Sequence, residues 1–455
     1  MDNPNPRRRS KPRKDPTMIR ILAGLFAVMC VVMITGLFQV DADDPQNLDS
    51  TGSTQPSEEA PKGTQPPESD VLATASIGVT GDILPHGPVI VAAQNAATNG
   101  GHDFTGMFRH MKSYFREYDY MVANLETTLG GPEAGEYMGW PRFNCPDSMV
   151  DALLDAGVDM MLTANNHSYD TGSEGFLRTQ KVLREKGMAH LGTVENASDK
   201  NYTVVDLNGI KVGMVCYTYN TGVDSQGRKQ LNGQHTMSAT DSKLISTFNT
   251  STLDAFYTEI QGVLAAMEAE GAEATVVFMH WGDEYELAPD DNQVAIANKL
   301  CSLGVDVIVG GHPHEIQPFD TLTSNGNTTY CLYSTGNALS NQRTDTLTDE
   351  PNKEYTEDGV LFGVEFTKLK DGSVVVSGLE VLPYWLDKQT SNGVDTYAMI
   401  PLDPKKDNWD SFGVANVDYL SVSYNRTMGL LAEGINEARS LLGQKAIPAK
   451  AEDIR

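Results

Sequence analysis

Cysteine is scarce. There are five in 455 residues: Cys30 lies inside an apolar run, and Cys145, Cys216, Cys301 and Cys331 are widely spaced, with no C-x-x-C pair. This excludes a disulfide-dense scaffold and a zinc ribbon, and leaves room for one or two bridges at most. No serine or cysteine stands in a nucleophile elbow, which argues against a covalent serine- or cysteine-based hydrolase. Positive charge is also in short supply, with 34 Lys and Arg against 61 Asp and Glu and a formal net charge of −27. Residues 1–40 hold seven of the bases and only two acids, so the rest of the chain carries −32. Such a surface repels polyanions at long range and argues against nucleic acid as a partner. Internal repeats are absent.

One long apolar run is present. "ILAGLFAVMCVVMITGLF", Ile21 to Phe38, is 18 residues without a charge, about 27 Å of helix. "RRRSKPRK" precedes it and "DADD" follows. The run is long for the core of a signal peptide and lacks a small-x-small cleavage site, so it reads as an uncleaved signal anchor. The flanking charges put residues 1–20 in the cytoplasm as a basic tail, residues 21–40 in the membrane, and everything later outside the cell, as a single-pass membrane protein. Residues 41–73 are rich in Pro, Ser, Thr, Gly and acid; such a composition cannot bury a core and reads as a tether.

From residue 74 short apolar runs alternate with helical patterns. "ATASIGVTGD", "DYMVANLE", "DMMLTANNH", "EATVVFMHWG" and "VDVIVGGHPH" read as strands. "FTGMFRHMKSYFREY", "DSMVDALLDAGV", "GSEGFLRTQKVLREKG", "STLDAFYTEIQGVLAAMEAEG" and "NQVAIANKLCSLG" read as helices between them, and "YTVVDLNGIKVGMVCYTY" as a hairpin turning at Asn208-Gly209. Three strand patterns without helices follow. The expectation is an α/β layered domain over residues 74–385 whose sheets are partly parallel and partly antiparallel. Residues 386–455 read as a C-terminal extension of unknown role, with a helix at "MGLLAEGINEARSLLG".

Polar residues gather where these strands end. Asp82, then Asn124 and Glu126, then Asn165, Asn166 and His167, then His280, then His312 and His314 each follow an apolar run. In layered α/β sheets, ligands bind beyond the carboxyl ends of strands. One Asp, one Glu, one Asn and several His form a donor set for one or two divalent transition-metal ions, Mn, Fe or Zn. Two ions sharing a carboxylate lower the pKa of a water, so no protein nucleophile is required. Taken singly, each piece has an ordinary structural explanation, as a turn, a cap or a packed ring. Their occurrence in order, each after a strand, is what points to a metal site. In "GGHPHEIQPFD" the expected extended backbone sends His312 and His314 to one side, where each can address one of two ions.

The blocks "GVTGDILPHGPV", "VANLETTLGG", "TANNHSYDTGSEGFLRT", "HWGDEYE", "GGHPHEIQPFD" and "YSTGNALSNQ" resemble the CapA family of capsule-synthesis proteins, of the poly-γ-glutamate biosynthesis group. The resemblance runs over roughly residues 74–345. It implies a calcineurin-like metallophosphoesterase fold and a role in making a cell-envelope or capsular polymer beside other polymer-synthesis subunits. By position it implies Asp82 and His314 at a first metal, Glu126 bridging, and Asn166, His280 and His312 at a second. His167 would be the general acid, with Asp170 orienting it or capping the next helix; Asn124, Glu284 and Asn337 would be substrate contacts, Glu284 alternatively a ligand. The chain departs from the wider superfamily in having Leu84 where Asp-x-His would put a histidine, so His86 is the expected replacement ligand. The bridging acid is Glu rather than Asp. The resemblance also leaves open a non-catalytic structural or export subunit, or a general phosphoesterase.

Overall fold

The central strands among the described residues are apolar on both sides, and so require cover on both sides. In the strand Ala274–His280, Val276 and Phe278 enter one buried cluster while Val277 and Met279 enter another. In Tyr120–Leu125, Val122 points into the first cluster and Met121, Ala123 and Leu125 into a third. This period of two places a shared core between two sheets and a separate core outside each.

The computed structural model describes residues 65–406 and 409–454. The expected membrane segment and all but the end of the expected tether lie outside the described residues. Among the described residues, no helix is long and apolar enough to cross a membrane. The four described cysteines, Cys145, Cys216, Cys301 and Cys331, are buried and free.

The first sheet runs in the order Val394–Pro401, Val374–Ser391, Asp358–Leu369, Val71–Ile83, Tyr120–Leu125, Met160–Leu162, Ala189–Leu191, with Asn337–Leu339 added beside Val71–Ile83. Its two halves meet at Val71–Ile83, which pairs antiparallel with Asp358–Leu369 and parallel with Tyr120–Leu125. The second sheet runs Thr247–Phe248, Ile210–Tyr219, Ala274–His280, Val307–Gly311, Asn327–Thr335, Ile316–Ser324, with the hairpin strand Tyr202–Leu207 on Ile210–Tyr219. Helices Gly87–Ala96, Ser148–Ala156 and Gly172–Lys186 cover the outer face of the first sheet, and Leu253–Ala269 and Asp291–Ser302 that of the second. The result is a mixed α/β arrangement of helix, sheet, sheet and helix layers.

Three segments differ from the sequence reading. "FTGMFRHMKSYFREY" is not one helix: Thr105–Met107 is a 3₁₀ turn and only Lys112–Phe115 is α-helical. Gly106 is a poor helix former, and a run of turns still buries Phe104, Met107, Phe108, Met111 and Phe115. Gly87–Ala96, for which the sequence suggested no element, is a helix with Pro88 in its first turn, where the missing N–H costs nothing. The strand Val374–Ser391 runs through the expected boundary at 385, Val394–Pro401 pairs with it, and the last helix starts at Asp418 rather than Met428.

That helix, Asp418–Leu441, packs on Ile316–Ser324 and Val374–Ser391. A fork of two bonds ties it to the centre of the first sheet: Arg426 Nε and Nη2 donate to Asp358 at 2.7 and 2.9 Å, and Ser423 Oγ donates to the same carboxylate at 2.6 Å. Asp358 is 1% exposed. Arg426→Met would strand that buried carboxylate, so we expect a loss of about 3–5 kcal/mol in the urea unfolding free energy. Pairing it with Asp358→Leu should recover most of the loss. An unchanged midpoint in Arg426→Met would mean that the helix contributes nothing to the stability of the sheets.

Candidate metal centre

The first sheet presents carboxylates and an amide, and the second presents imidazoles. Asp82 lies at the end of Val71–Ile83, Glu126 just beyond Tyr120–Leu125, and Asn166 four residues beyond Met160–Leu162; His280 ends Ala274–His280, and His312 and His314 follow Val307–Gly311. The register of Val71–Ile83 shifts on both sides at Asp82, where it faces Asn124 and Asn337. An irregularity of this kind re-aims a side chain. Gly81 permits it, since a Cβ there would collide with the Gly336 carbonyl. Gly310 has the same role against the Tyr333 carbonyl, and a Cβ on Gly311 would come within 2.9 Å of Asp82 Oδ1.

The donor atoms fall into three groups, each within 4.8 Å: Asp82, Glu126 and His314; Glu126, His280 and His312; and Glu284, His312 and His314. Glu126 belongs to the first two. Its Oε1 lies 3.6 Å from His280 Nε2 and 3.8 Å from His314 Nε2. Asn166 Oδ1 is 2.8 Å from His280 Nε2. Among the described residues, Glu126 Oε1 and His312 Nδ1 are buried without a hydrogen-bond partner. Lone pairs left bare at this depth are costly, and a bound cation would satisfy them. The donor set therefore fits one or two divalent ions.

The electrostatics agree. Burial, followed by Asp82 and Glu284, pushes the Glu126 carboxyl well above its ordinary value. Burial would also raise Asp82, but the His314 hydrogen bond and charge, with Asn124 and the His312 N–H, hold it below the usual range. Burial, and then His314 and His167, keep His280 well below its ordinary value; burial, His280 and His314 do the same to His312. Both rings are thus neutral, the form that ligates.

The His-Pro-His loop departs from the extended backbone expected of it. The strand stops at Gly311, and His312 and His314 have φ of 100° and 61°. The ladder ends because the His312 N–H donates to Asp82 Oδ2 at 3.1 Å instead of to a neighbouring strand. Non-glycine residues in this region carry strain of about 1–3 kcal/mol each. The twist sends the His312 ring towards His280, with centroids 4.7 Å apart, and His314 towards Asp82, with Nδ1 3.6 Å from Oδ2.

His167 Nδ1 is 2.8 Å from Asp170 Oδ2, which also accepts the Phe143 N–H at 2.7 Å. Asp170 orients the ring and caps no helix: the residue before Gly172–Lys186 is Thr171, without a side-chain cap bond. His235 Nε2, a partner the sequence did not suggest, lies 3.5 Å from the other oxygen of Asp170.

His86 stands outside all three donor groups. Its Nδ1 lies 3.0 Å from the Leu84 carbonyl and 3.2 Å from the Asn341 N–H, and burial, with His314 and His167, lowers it to about 3. It is a wall of a cavity of about 420 Å³, with Trp140, Phe143, His167, Glu284 and His314. A second cavity of about 600 Å³ is lined by Tyr219, Glu284 and His312 among others.

Asn124 and Asn337 line neither cavity; they stand behind the candidate ligands. Asn124 Nδ2 donates to Asp82 at 2.7 Å, and Asn165 in turn holds Asn124 at 3.2 Å. Asn337 Oδ1 is 3.1 Å from His314 Nδ1, and its amide is spent on the His314 and Thr356 carbonyls and Gln342. Such partners fix ring orientation and tautomer. Tyr219, its ring 4.8 Å from that of His312, carried no sequence signal beyond its place at a strand end.

Residues 76–342 match the family profile described as bacterial capsule synthesis protein PGA_cap. The chain belongs to this family. It is 28% identical over 240 residues to the capsule biosynthesis protein CapA of Bacillus anthracis, covering 52% of this chain and 54% of that protein. It is 25% identical over 242 residues to the PGA biosynthesis protein CapA of Bacillus subtilis (strain 168), covering 52% and 57%. The chain thus spans about half the length of these curated relatives. Among solved structures, the sulfate thiohydrolase SoxB of Thermus thermophilus aligns over 71% of this chain and 46% of its own, at 15% identity and a TM-score of 0.35.

The raised Glu126 gives a pH signature in metal-free protein. The folded state holds a proton that the unfolded chain releases above about pH 4.3. Its contribution to stability is therefore largest below that value and falls as pH rises through the raised one. After chelation, Glu126→Gln should be more stable than the parent, by a margin that grows from about pH 5 to about pH 8 in urea titrations. A margin that is constant or shrinks with pH would show that Glu126 is not held protonated by its surroundings.

Proposed function

We propose that this chain is a membrane-anchored, metal-dependent hydrolase or transferase of the calcineurin-like metallophosphoesterase type, with its folded domain outside the cell, acting on a capsular or other cell-envelope polymer. The observation that carries the chemistry is Glu126, a buried carboxylate with an unpartnered oxygen that belongs to two donor groups at once. Membership of the capsule synthesis family supports the polymer context, and the charge-flanked apolar run at residues 21–38 supports the anchor.

Asp82, Glu126 and His314 would hold one ion, and Glu126, Asn166, His280 and His312 a second. Bound there, such ions supply Lewis acidity and lower the pKa of a water. The chain's own residues do the rest. His167 faces the 420 Å³ cavity with Nδ1 tied to Asp170, which leaves Nε2 to give a proton to a leaving group. Asn337 and Asn124 hold His314 and Asp82 in place. Phe143 packs edge-on against His167, with 4.6 Å between ring centroids.

Two outcomes are expected from variants of the purified protein. His280→Ala and His312→Ala should each lose metal by elemental analysis, with affinity down by more than about 10-fold. His167→Asn should keep the metal and lower turnover by about 10²–10⁴, assayed on phosphoester and γ-glutamyl substrates side by side. Unchanged metal content in both alanine variants would remove the site. Protease added to intact cells should release the domain beyond residue 64; complete protection would remove the outward topology.

A further inference from the structure

Glu284 differs from the rest of the donor set. Asp82, Glu126, His280, His312 and His314 are buried, and Glu284 is partly exposed. It shares a donor group with His312 and His314, and no group holds it together with Glu126. It therefore approaches the two rings from a side that Glu126 does not. That side is open: Glu284 lines both the 420 Å³ cavity and the 600 Å³ cavity. The loop that carries it is fixed. Gly282 turns the chain at φ 82°, where a Cβ would strike the Gln293 side chain, and Tyr285 turns it again at φ 66°. A bulky residue at positive φ carries strain and persists only where its surroundings hold it. Here they do. The Trp281 N–H donates to the Gly311 carbonyl at 3.1 Å, and the Tyr285 N–H to the Pro313 carbonyl at 2.9 Å. The Gln342 amide donates to the Tyr285 hydroxyl at 3.0 Å. These bonds lock the backbone of residues 281–285 to the His-Pro-His segment and bring Glu284 to its rings. The carboxylate itself is held less firmly than its neighbours. Asp82 accepts from Asn124, and His314 is tied to Asn337; among the described residues, no hydrogen bond or ion pair fixes the Glu284 carboxylate. Ligating carboxylates are ordinarily held by a further hydrogen bond, and catalytic metal centres keep one position that fixed protein ligands leave open. A carboxylate without such a hold, on the cavity side of both rings, suits that open position.

We infer that Glu284 is a displaceable ligand of the centre, which closes its open side when no substrate is bound and competes there with the anionic group of an incoming one. This rests on the metal reading given under Proposed function, and it makes Glu284 a ligand rather than a substrate contact. The full-length protein in detergent would be stripped with a chelator and titrated with Mn²⁺ alone, then with inorganic phosphate at saturating Mn²⁺. The parent, Glu284→Gln and Glu284→Asp would be compared by calorimetry, with free Mn²⁺ read by electron paramagnetic resonance. Aspartate keeps the charge but is one methylene short, so it separates ligation from simple repulsion. Both variants should weaken Mn²⁺ by about 10-fold and tighten phosphate by at least about 5-fold. A shift in Glu284→Gln with Glu284→Asp like the parent would reduce Glu284 to a nearby charge and overturn the inference. Variants that weaken phosphate along with the metal would overturn it too, because a group that competes with phosphate cannot also support its binding. Variants like the parent in both titrations would overturn it while the metal centre stands. A parent that binds no Mn²⁺ would remove the centre itself, and the inference with it.

Discussion

Glu126 is the constraint on which the rest of the site depends. Its carboxylate is fully buried beside Asp82, in a setting that disfavours two negative charges. A fold retains such an arrangement at a cost in stability unless something cationic offsets it. Around it, the neutral rings of His280 and His312, the bare lone pair of His312 and the strained backbone at His312 and His314 are all costs borne at one place. Their concentration is what separates this cluster from an ordinary buried polar network, in which every donor and acceptor has a partner.

The two-sheet architecture explains how the cost is met. Carboxylates arrive on one sheet and imidazoles on the other, so the donor set exists only where the sheets are packed together. The shared core holds them there: Val79 and Val122 on one side and Phe278 and Val309 on the other are buried a few residues back from the candidate ligands. The glycines at 81, 310 and 311 remove the side chains that would hold the sheet ends apart. The C-terminal helix, tied by Arg426 to the sheet at Asp358, belongs to the same support.

Much of this was legible in the sequence because it is local. Period-two apolar runs gave the strands, and a polar residue directly after each run placed Asp82, Glu126, Asn166, His280, His312 and His314 at strand ends, where ligands collect. What required tertiary structure was everything set by contacts between distant segments. The sequence could not show that Asn124 and Asn337 stand behind the candidate ligands, because amides at strand ends look alike whether they face a cavity or a neighbour. It suggested His86 as a ligand from its closeness to Asp82 along the chain; in space its Nδ1 is engaged by Leu84 and Asn341, and it joins none of the donor groups. The extended reading of His-Pro-His failed because Asp82, 230 residues away, takes the His312 N–H and ends the strand. Local periodicity settled which residues reach the sheet ends; only the packing of one sheet on the other decided which of them face each other.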